Sequence, residues 1–234
     1  MIPIKTESAW RGTSDCRNCG IRDMVLFADL NEQDFNLIHA PIDDLVYQSG
    51  QSLYDESDKA VGVFTLRKGL VKLVRVTADG RERVVRVLFA GDVVGLEALA
   101  TGHYNSQAVA LSEVSLCRIP LDVIHQLGAN SPRLHRKLME KWQSALKQAD
   151  DWLAELNFGS ASQRVLHFIH KMHEVSEDGT ATLFSREDMG AMMDLKLETV
   201  SREVTALVRA GMMEPLDKHG RHYKVLRPEL LQEK

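Results

Sequence analysis

Four side chains near the C-terminal end carry the most specific chemistry in the chain. Glu198, Ser201 and Arg202 stand at i, i+3 and i+4, with Thr199 beside them. On a helix, that spacing puts a carboxylate, hydroxyls and a guanidinium on one exposed N-terminal face. Helices so equipped read base edges in the DNA major groove. A second group is Cys16 and Cys19, spaced Cys-x-x-Cys, with Cys117 far downstream. Three cysteines without a secretory signal argue against a disulfide scaffold and leave metal, redox or plain packing open.

The elements around the first group read as a winged helix-turn-helix. Ser185 with Asp188 three residues on resembles a capping box and opens a short helix carrying Met189, Met192 and Met193. Asp194, Leu195 and Lys196 make the turn. In the second helix Val200, Val204, Leu207 and Val208 recur at helical spacing and should face the core, with Gly211 at its C-terminal end. Met212 and Met213 lead into a hairpin turning at His219-Gly220 and returning through Tyr223, Val225 and Leu226. The net charge of the chain is −4, yet between Arg202 and Arg227 six Lys/Arg face three acids. Local charge counts for more than the total in phosphate contacts.

Upstream, residues 46–123 alternate apolar and polar residues in short runs separated by glycines, and Asp79-Gly80 marks a hairpin. Short strands with a turn about every ten residues predict a β-barrel or jelly-roll-like domain. Residues 26–45 have helical spacing, with Asn31 as N-cap and Leu30, Phe35, Leu37 and Ile38 inward. After Pro132, Leu138, Trp142, Ala145, Ala149, Trp152 and Leu156 follow a 4-3-4-3-4 spacing, the seam of a two-stranded coiled coil. A helix packed on its own β-domain gives a similar stripe. Length favours a parallel dimer helix, because about 25 residues span roughly 37 Å, more than a small barrel covers. Phe158-Gly159-Ser160-Ala161 reads as a hinge, and Ser160 caps a helix to about His173.

The organisation expected is α+β. Residues 1–25 are an extension carrying the Cys-x-x-Cys, 26–130 a β-roll, 131–158 a dimerisation helix and 159–234 the winged helix-turn-helix. Composition is globular, 44% hydrophobic and 26% charged, with neither a secretory h-region nor an apolar run of membrane length. The expected compartment is the cytoplasm, with no membrane partner. A Ser/His/Asp grouping, a phosphate-cradling loop and a metalloenzyme motif are all absent from the sequence, which speaks against an enzyme.

Over essentially its whole length the chain resembles the Crp/Fnr superfamily of bacterial transcription regulators. The blocks LRKGLVKLVRVTADGRE, LFAGDVVGLEAL and LETVSRE carry the resemblance, and the first domain is then a β-roll of the cyclic-nucleotide-binding type. The resemblance implies a homodimer on palindromic double-stranded DNA, near TTGAT-n4-ATCAA or a TGTGA-like half-site, and a contact with RNA polymerase if the protein is an activator. It also implies roles: Arg202 on guanine O6/N7, Glu198 on a cytosine amino group and Ser201 as an adaptable contact. Lys196 departs from the family's usual Thr or Ser N-cap. The lost cap costs on the order of 1 kcal/mol, and the lysine is able to reach a phosphate instead.

Three classes of signal follow from the resemblance. Cyclic-nucleotide members neutralise the cyclic phosphate with an arginine downstream of a Gly-Glu-Leu turn. Here the turn is Gly95-Leu96-Glu97-Ala98, and Asn105, Ser106 and Gln107 occupy the cation's place, which argues against cyclic AMP. Fnr-type sensors hold a [4Fe–4S] cluster on four cysteines. Cys16, Cys19 and Cys117 match three positions, Val25 stands at the remaining one, and Asp23 is the nearest oxygen ligand able to complete the set. A redox pair, a zinc half-site or a cofactor-free regulator are the alternatives. Haem sensing is the third class; none of the nine histidines lies in a recognisable haem context, and His103 in the TGHYNS stretch is most simply a loop residue. A small-molecule-binding module acting on a protein partner is the reading from another class; it needs the missing arginine and has no use for Glu198, Ser201 and Arg202.

Overall fold

The structure, a computed structural model, describes residues 26–27, 42–176 and 178–229. The expected roles of Cys16, Cys19, Asp23 and Val25, and the helix from Asn31, fall outside the described residues. The chain forms two compact units. One joins the described residues up to Gly80 with Val85–Lys147, and the other joins Arg81–Val84 with the described part of Gln148–Lys234. The division falls inside a helix at 147–148, earlier than the hinge expected at 158–161.

Eight strands precede the helices: β1 (Asp43–Tyr47), β2 (Ser52–Tyr54), β3 (Gly62–Lys68), β4 (Val71–Val76), β5 (Glu82–Leu88), β6 (Val93–Val94), β7 (Gln107–Ala110) and β8 (Val114–Pro120), all in the first unit but for the start of β5 up to Val84. They form two four-stranded sheets, ordered β1-β8-β3-β6 and β2-β7-β4-β5. A one-turn helix α1 (Ala98–Thr101) connects β6 to β7. The hairpin signal at Asp79-Gly80 is the β4–β5 turn, where the Gly80 N–H donates to Thr77 O at 2.8 Å.

Strand β3 shows why this sheet sits inside the unit. Successive side chains point to opposite faces, yet Val63, Phe64, Thr65 and Leu66 are all buried. Phe64 and Leu66 join Tyr54, Leu73, Leu88, Val94 and Leu116 in a core shared by the two sheets. Val63 joins Cys117, Ile119, Leu26, Phe27 and Leu127 on the other face. That second cluster is covered by helices α2 (Leu121–Asn130) and α3 (Pro132–Leu156). Pro132 occupies the first position of α3, where its missing N–H costs nothing, and Ser131 Oγ accepts from the Leu134 N–H at 3.4 Å.

The second unit continues through α4 (Ala161–Glu174), β9 (Thr180–Thr182), α5 (Arg186–Met193), α6 (Leu197–Arg209), β10 (Met213–Pro215) and β11 (His222–Val225). The three strands form an antiparallel sheet ordered β10-β11-β9. Ser160 and Gln163 close a reciprocal capping box on α4. Val165, Phe168, Ile169 and Met172 of α4 are buried. Phe168 meets Trp152 and Phe184 edge-on, at centroid separations of 6.5 and 5.2 Å. Such pairs are worth about 0.5–1.5 kcal/mol each beyond their area.

Candidate nucleic-acid interface

Helices α5 and α6 meet through a three-residue turn whose closeness depends on one glycine. A Cβ on Gly190 would lie 2.5 Å from the carbonyl oxygen of Leu195. That oxygen belongs to rigid backbone, so only glycine lets the chain after α5 fold back across it. Asp194 takes the left-handed conformation at the α5 terminus, with φ 52°. Gly190 O accepts from the N–H groups of Asp194 and Leu195. The Arg164 guanidinium, from α4, donates to Met193 O at 2.7 Å, satisfying a carbonyl at the end of α5. At the other end Ser185 Oγ accepts from the Asp188 N–H at 3.0 Å, while the Ser185 hydroxyl donates to the Asp188 carboxylate at 2.8 Å.

Helix α6 divides by face. Val200, Val204 and Leu207 are buried, and Val208 is half-buried. Glu198 and Arg202 are exposed, while Ser201 and Thr199 are partly covered. The Arg202 side chain is 68% exposed, and its guanidinium rests 3.3 Å from Glu203 Oε1. A contact so open to solvent is worth little and is easily exchanged for another acceptor. Lys196 is the N-cap residue and makes no side-chain cap bond, in keeping with its departure from the family's hydroxyl residue. At the far end Gly211, with φ 68°, donates to Val208 O while Met212 donates to Leu207 O. This is a Schellman ending that suits glycine at the left-handed position.

The hairpin after α6 is fastened on both sides. Asp217 accepts from the N–H groups of His219, Arg221 and His222 at 2.8, 3.2 and 2.8 Å. Partial burial works against ionisation, but donation from Arg221, His222, His219 and Gly220 holds the carboxyl below its ordinary pKa. Arg186 donates to Gly220 O at 3.2 Å and to the Tyr223 hydroxyl at 2.9 Å, tying the start of α5 to the hairpin tip. Lys218, His219, Arg221 and Lys224 stay exposed around that tip. Arg164 and Arg186 had no motif to reveal them; their partners are backbone carbonyls 29 and 34 residues away.

The long helix α3 spends its apolar residues differently from the spacing expected. Leu138 and Ala145 pack against the first unit's core, and Trp152 and Leu156 are buried. Lys141, between Leu138 and Ala145, donates to Gly91 O at 2.7 Å, and burial lowers its pKa. Of the six residues expected at the seam, Trp142 is exposed and Ala149 partly so. They lie on a second stripe with Met139, Leu146 and Leu153, all exposed; Leu146 is 64% exposed.

In the β-roll, the ground beside the Gly95–Ala98 turn is filled by side chains. The rings of Tyr54 and Tyr104 stack with centroids 3.6 Å apart. The Tyr104 hydroxyl donates to Gly62 O at 2.7 Å, and a Cβ on Gly95 would sit 2.8 Å from the Tyr104 ring. Burial raises the Tyr54 pKa, with Glu97 adding to it. One cation in this region is Arg86, which lies upstream of the turn; its pKa is lowered by burial, with Asp92 and Glu97 acting the other way. At the position expected of a phosphate-binding arginine, Gln107 donates to Asp55 at 2.7 Å, and Ser106 is buried. His103 keeps to its loop, with Nδ1 3.2 Å from Thr101 O.

Cys117 is 8% exposed on β8, and its thiol donates to Asp44 Oδ1 at 3.6 Å. Asp44 also pairs with Arg67 at 3.2 Å. Among the described residues there is no group of three or more His, Cys, Asp or Glu able to hold a metal. With Val25 offering no donor atom, this donor set does not fit a four-thiolate cluster.

Comparison with known proteins places these two units. Residues 44–131 match the model of the cyclic nucleotide-binding domain, and residues 163–234 match the Crp-like helix-turn-helix domain. The chain belongs to the Crp/Fnr family. It is 27% identical over 211 residues to the fumarate nitrate reduction regulatory protein of Klebsiella oxytoca, covering 87% of this chain and 84% of that one. The corresponding Escherichia coli K12 protein is 26% identical with the same coverage. The solved structure of FixK2 from Bradyrhizobium japonicum has a TM-score of 0.74 at 25% identity, covering 82% of this chain and 96% of that one. A CRP/FNR-family regulator from Thermus thermophilus shares the fold, with a TM-score of 0.64 at 20% identity and coverage of 81% and 96%. Crp/Fnr proteins are DNA-binding transcription regulators and not enzymes. Among the described residues no helix is long and apolar enough to cross a membrane.

Proposed function

We propose that this Crp/Fnr regulator acts in the cytoplasm as a homodimer that reads a palindromic site of the TTGAT or TGTGA type with helix α6. The observation that carries the reading is the division of α6. Glu198, Ser201 and Arg202 lie away from Val200, Val204 and Leu207, which hold the helix to its domain. Arg202 takes guanine O6 and N7, Glu198 accepts from a cytosine amino group and Ser201 is the adaptable contact. Lys196 and Thr199, together with the exposed bases of the hairpin tip, serve phosphates.

Dimerisation runs through Met139, Trp142, Leu146, Ala149 and Leu153, whose 3-4-3-4 spacing is that of a coiled-coil seam. None of the five is charged, so the dimer forms without an effector. The paired helices set two copies of α6 one DNA turn apart. Cyclic AMP has no place in this reading, because the stacked tyrosines occupy the roll beside the turn and Asn105, Ser106 and Gln107 stand where the phosphate-binding arginine is expected. Control by oxygen through a cluster is not included either, because the donor set falls short. Binding of the full chain to a TTGAT-type palindrome, compared with Arg202→Ala, tests the reading. Loss of roughly 1–3 kcal/mol with relaxed preference at one base supports it; unchanged binding rejects it.

A further inference from the structure

Met193 and Asp194, where α5 ends and the turn into α6 begins, are each held by a guanidinium from outside these two helices. Arg164 of α4 donates to Met193 O at 2.7 Å. Arg83 pairs with the Asp194 carboxylate at 2.5 Å. Arg83 lies on β5, in the stretch Arg81–Val84 that belongs to the second unit. Its side chain is 26% exposed, and that of Asp194 63% exposed.

The turn by itself does not call for an aspartate. Asp194 takes the left-handed conformation, with φ 52°, which glycine adopts without strain and asparagine tolerates as well. A carboxylate adds charge at the C-terminal end of α5, where the helix dipole is negative and anions are unfavourable. It also stands two residues before Lys196, at the end of α6 proposed to meet phosphates. Both effects disfavour an acid unless a cation answers it, and Arg83 is that cation. An ion pair so open to water adds little to folding. Its consequence is geometric: with Arg164 on the neighbouring residue, it fixes the turn from which α6 starts before DNA arrives. A turn already ordered costs less to seat in a groove than one that must be ordered there. We infer that Arg83 is a positioning residue for DNA reading, acting through Asp194 to set the start of α6. The inference rests on the DNA-reading role of α6 and extends the reading apparatus to a strand residue outside the winged helix-turn-helix.

The test is a double-mutant cycle on the full chain and the palindrome that it selects from a randomised DNA pool. Arg83→Ala is expected to bind about threefold more weakly per half-site and roughly tenfold more weakly over the palindrome, the size of one ordering cost in each copy. Asp194→Asn keeps a residue suited to the left-handed turn and is expected to lose affinity as well. That sign is diagnostic, because deleting an acid beside phosphates otherwise tightens binding. The double variant is expected to bind no more weakly than the weaker single variant, and all three keep the melting temperature of wild type. Unchanged binding by Arg83→Ala overturns the inference, and tighter binding does so by making the pair a restraint on DNA binding. Asp194→Asn binding as tightly as wild type or more tightly also overturns it. So does a loss from Arg83→Ala that persists in the Asp194→Asn background, since Arg83 would then touch phosphate itself, or a melting temperature that falls in step with affinity. Arg202→Ala is titrated alongside; its loss does not depend on the pair, so failure at Arg83 is separable from failure of α6 as a reader.

Discussion

Replacing Leu146 by alanine separates the two stripes of α3. Leu146 is 64% exposed in the single chain, and the side chains that hold α3 to the first unit are Leu134, Leu138, Lys141 and Ala145. Full burial of a leucine is worth about 1.5–3 kcal/mol. Covering the part still open, less what alanine retains, comes to about 1–1.5 kcal/mol per copy and about 2–3 kcal/mol per dimer. The dimer dissociation constant should therefore rise roughly 30- to 150-fold. Sedimentation velocity over a dilution series of the full chain reads this directly. Leu138→Ala is the control: it lies against the first unit's core, so it should lower the melting temperature while shifting dimerisation far less. A wild-type monomer at micromolar concentration would refute the reasoning. So would a Leu146→Ala dimer within twofold of wild type, or a dimer that depends on Leu138 more than on Leu146.

Other expectations concern the second unit. Gly190→Ala forces a Cβ to within 2.5 Å of Leu195 O; overpacking of this kind costs about 1–3 kcal/mol, so thermal denaturation should show a lower midpoint and DNA titration a weaker complex. Arg164→Met removes the charged donor to Met193 O and should destabilise by about 1.5–3 kcal/mol in chemical denaturation. Asp178 is held at a pKa of about 2, below its ordinary 3.8, first by the Ser176 hydroxyl and then by the Thr180 hydroxyl and N–H. A depressed carboxyl stabilises above its unfolded pKa and loses that contribution as pH falls through the folded value. Asp178→Asn should therefore be less stable than wild type at neutral pH, with the difference shrinking from about pH 4 and gone below about pH 2.

The helix-turn-helix was legible because its signals are local. Ser185, the methionine run, the valines of α6 and Gly211 each mark a boundary or a face within a few residues. The β-roll was legible from its turns, although the burial of both faces of β3 could not be read from alternation. The seam was harder. Two apolar stripes run side by side along α3, and periodicity cannot tell which of them this chain consumes. The first unit claims Leu138 and Ala145 around a lysine whose ammonium reaches Gly91 O, and a charged residue between apolar positions hides that stripe. Cys117 shows the same limit, because the carboxylate that accepts its hydrogen bond stands 73 residues away on β1. Arg86 carries no motif of its own, because it lies on β5, upstream of the Gly95 turn, and meets Asp92 and Glu97 only in the fold.

Fluorescence anisotropy with a labelled TTGAT-type palindrome tests the central claim most directly, with wild type and Arg202→Ala each titrated against the site and against a site with its half-site guanine replaced by adenine. Wild type should bind the guanine site in preference. Arg202→Ala should bind it roughly 5- to 150-fold more weakly per half-site and lose the preference between the two sites. Equal affinity of the two proteins, with the guanine preference intact in both, would contradict the account.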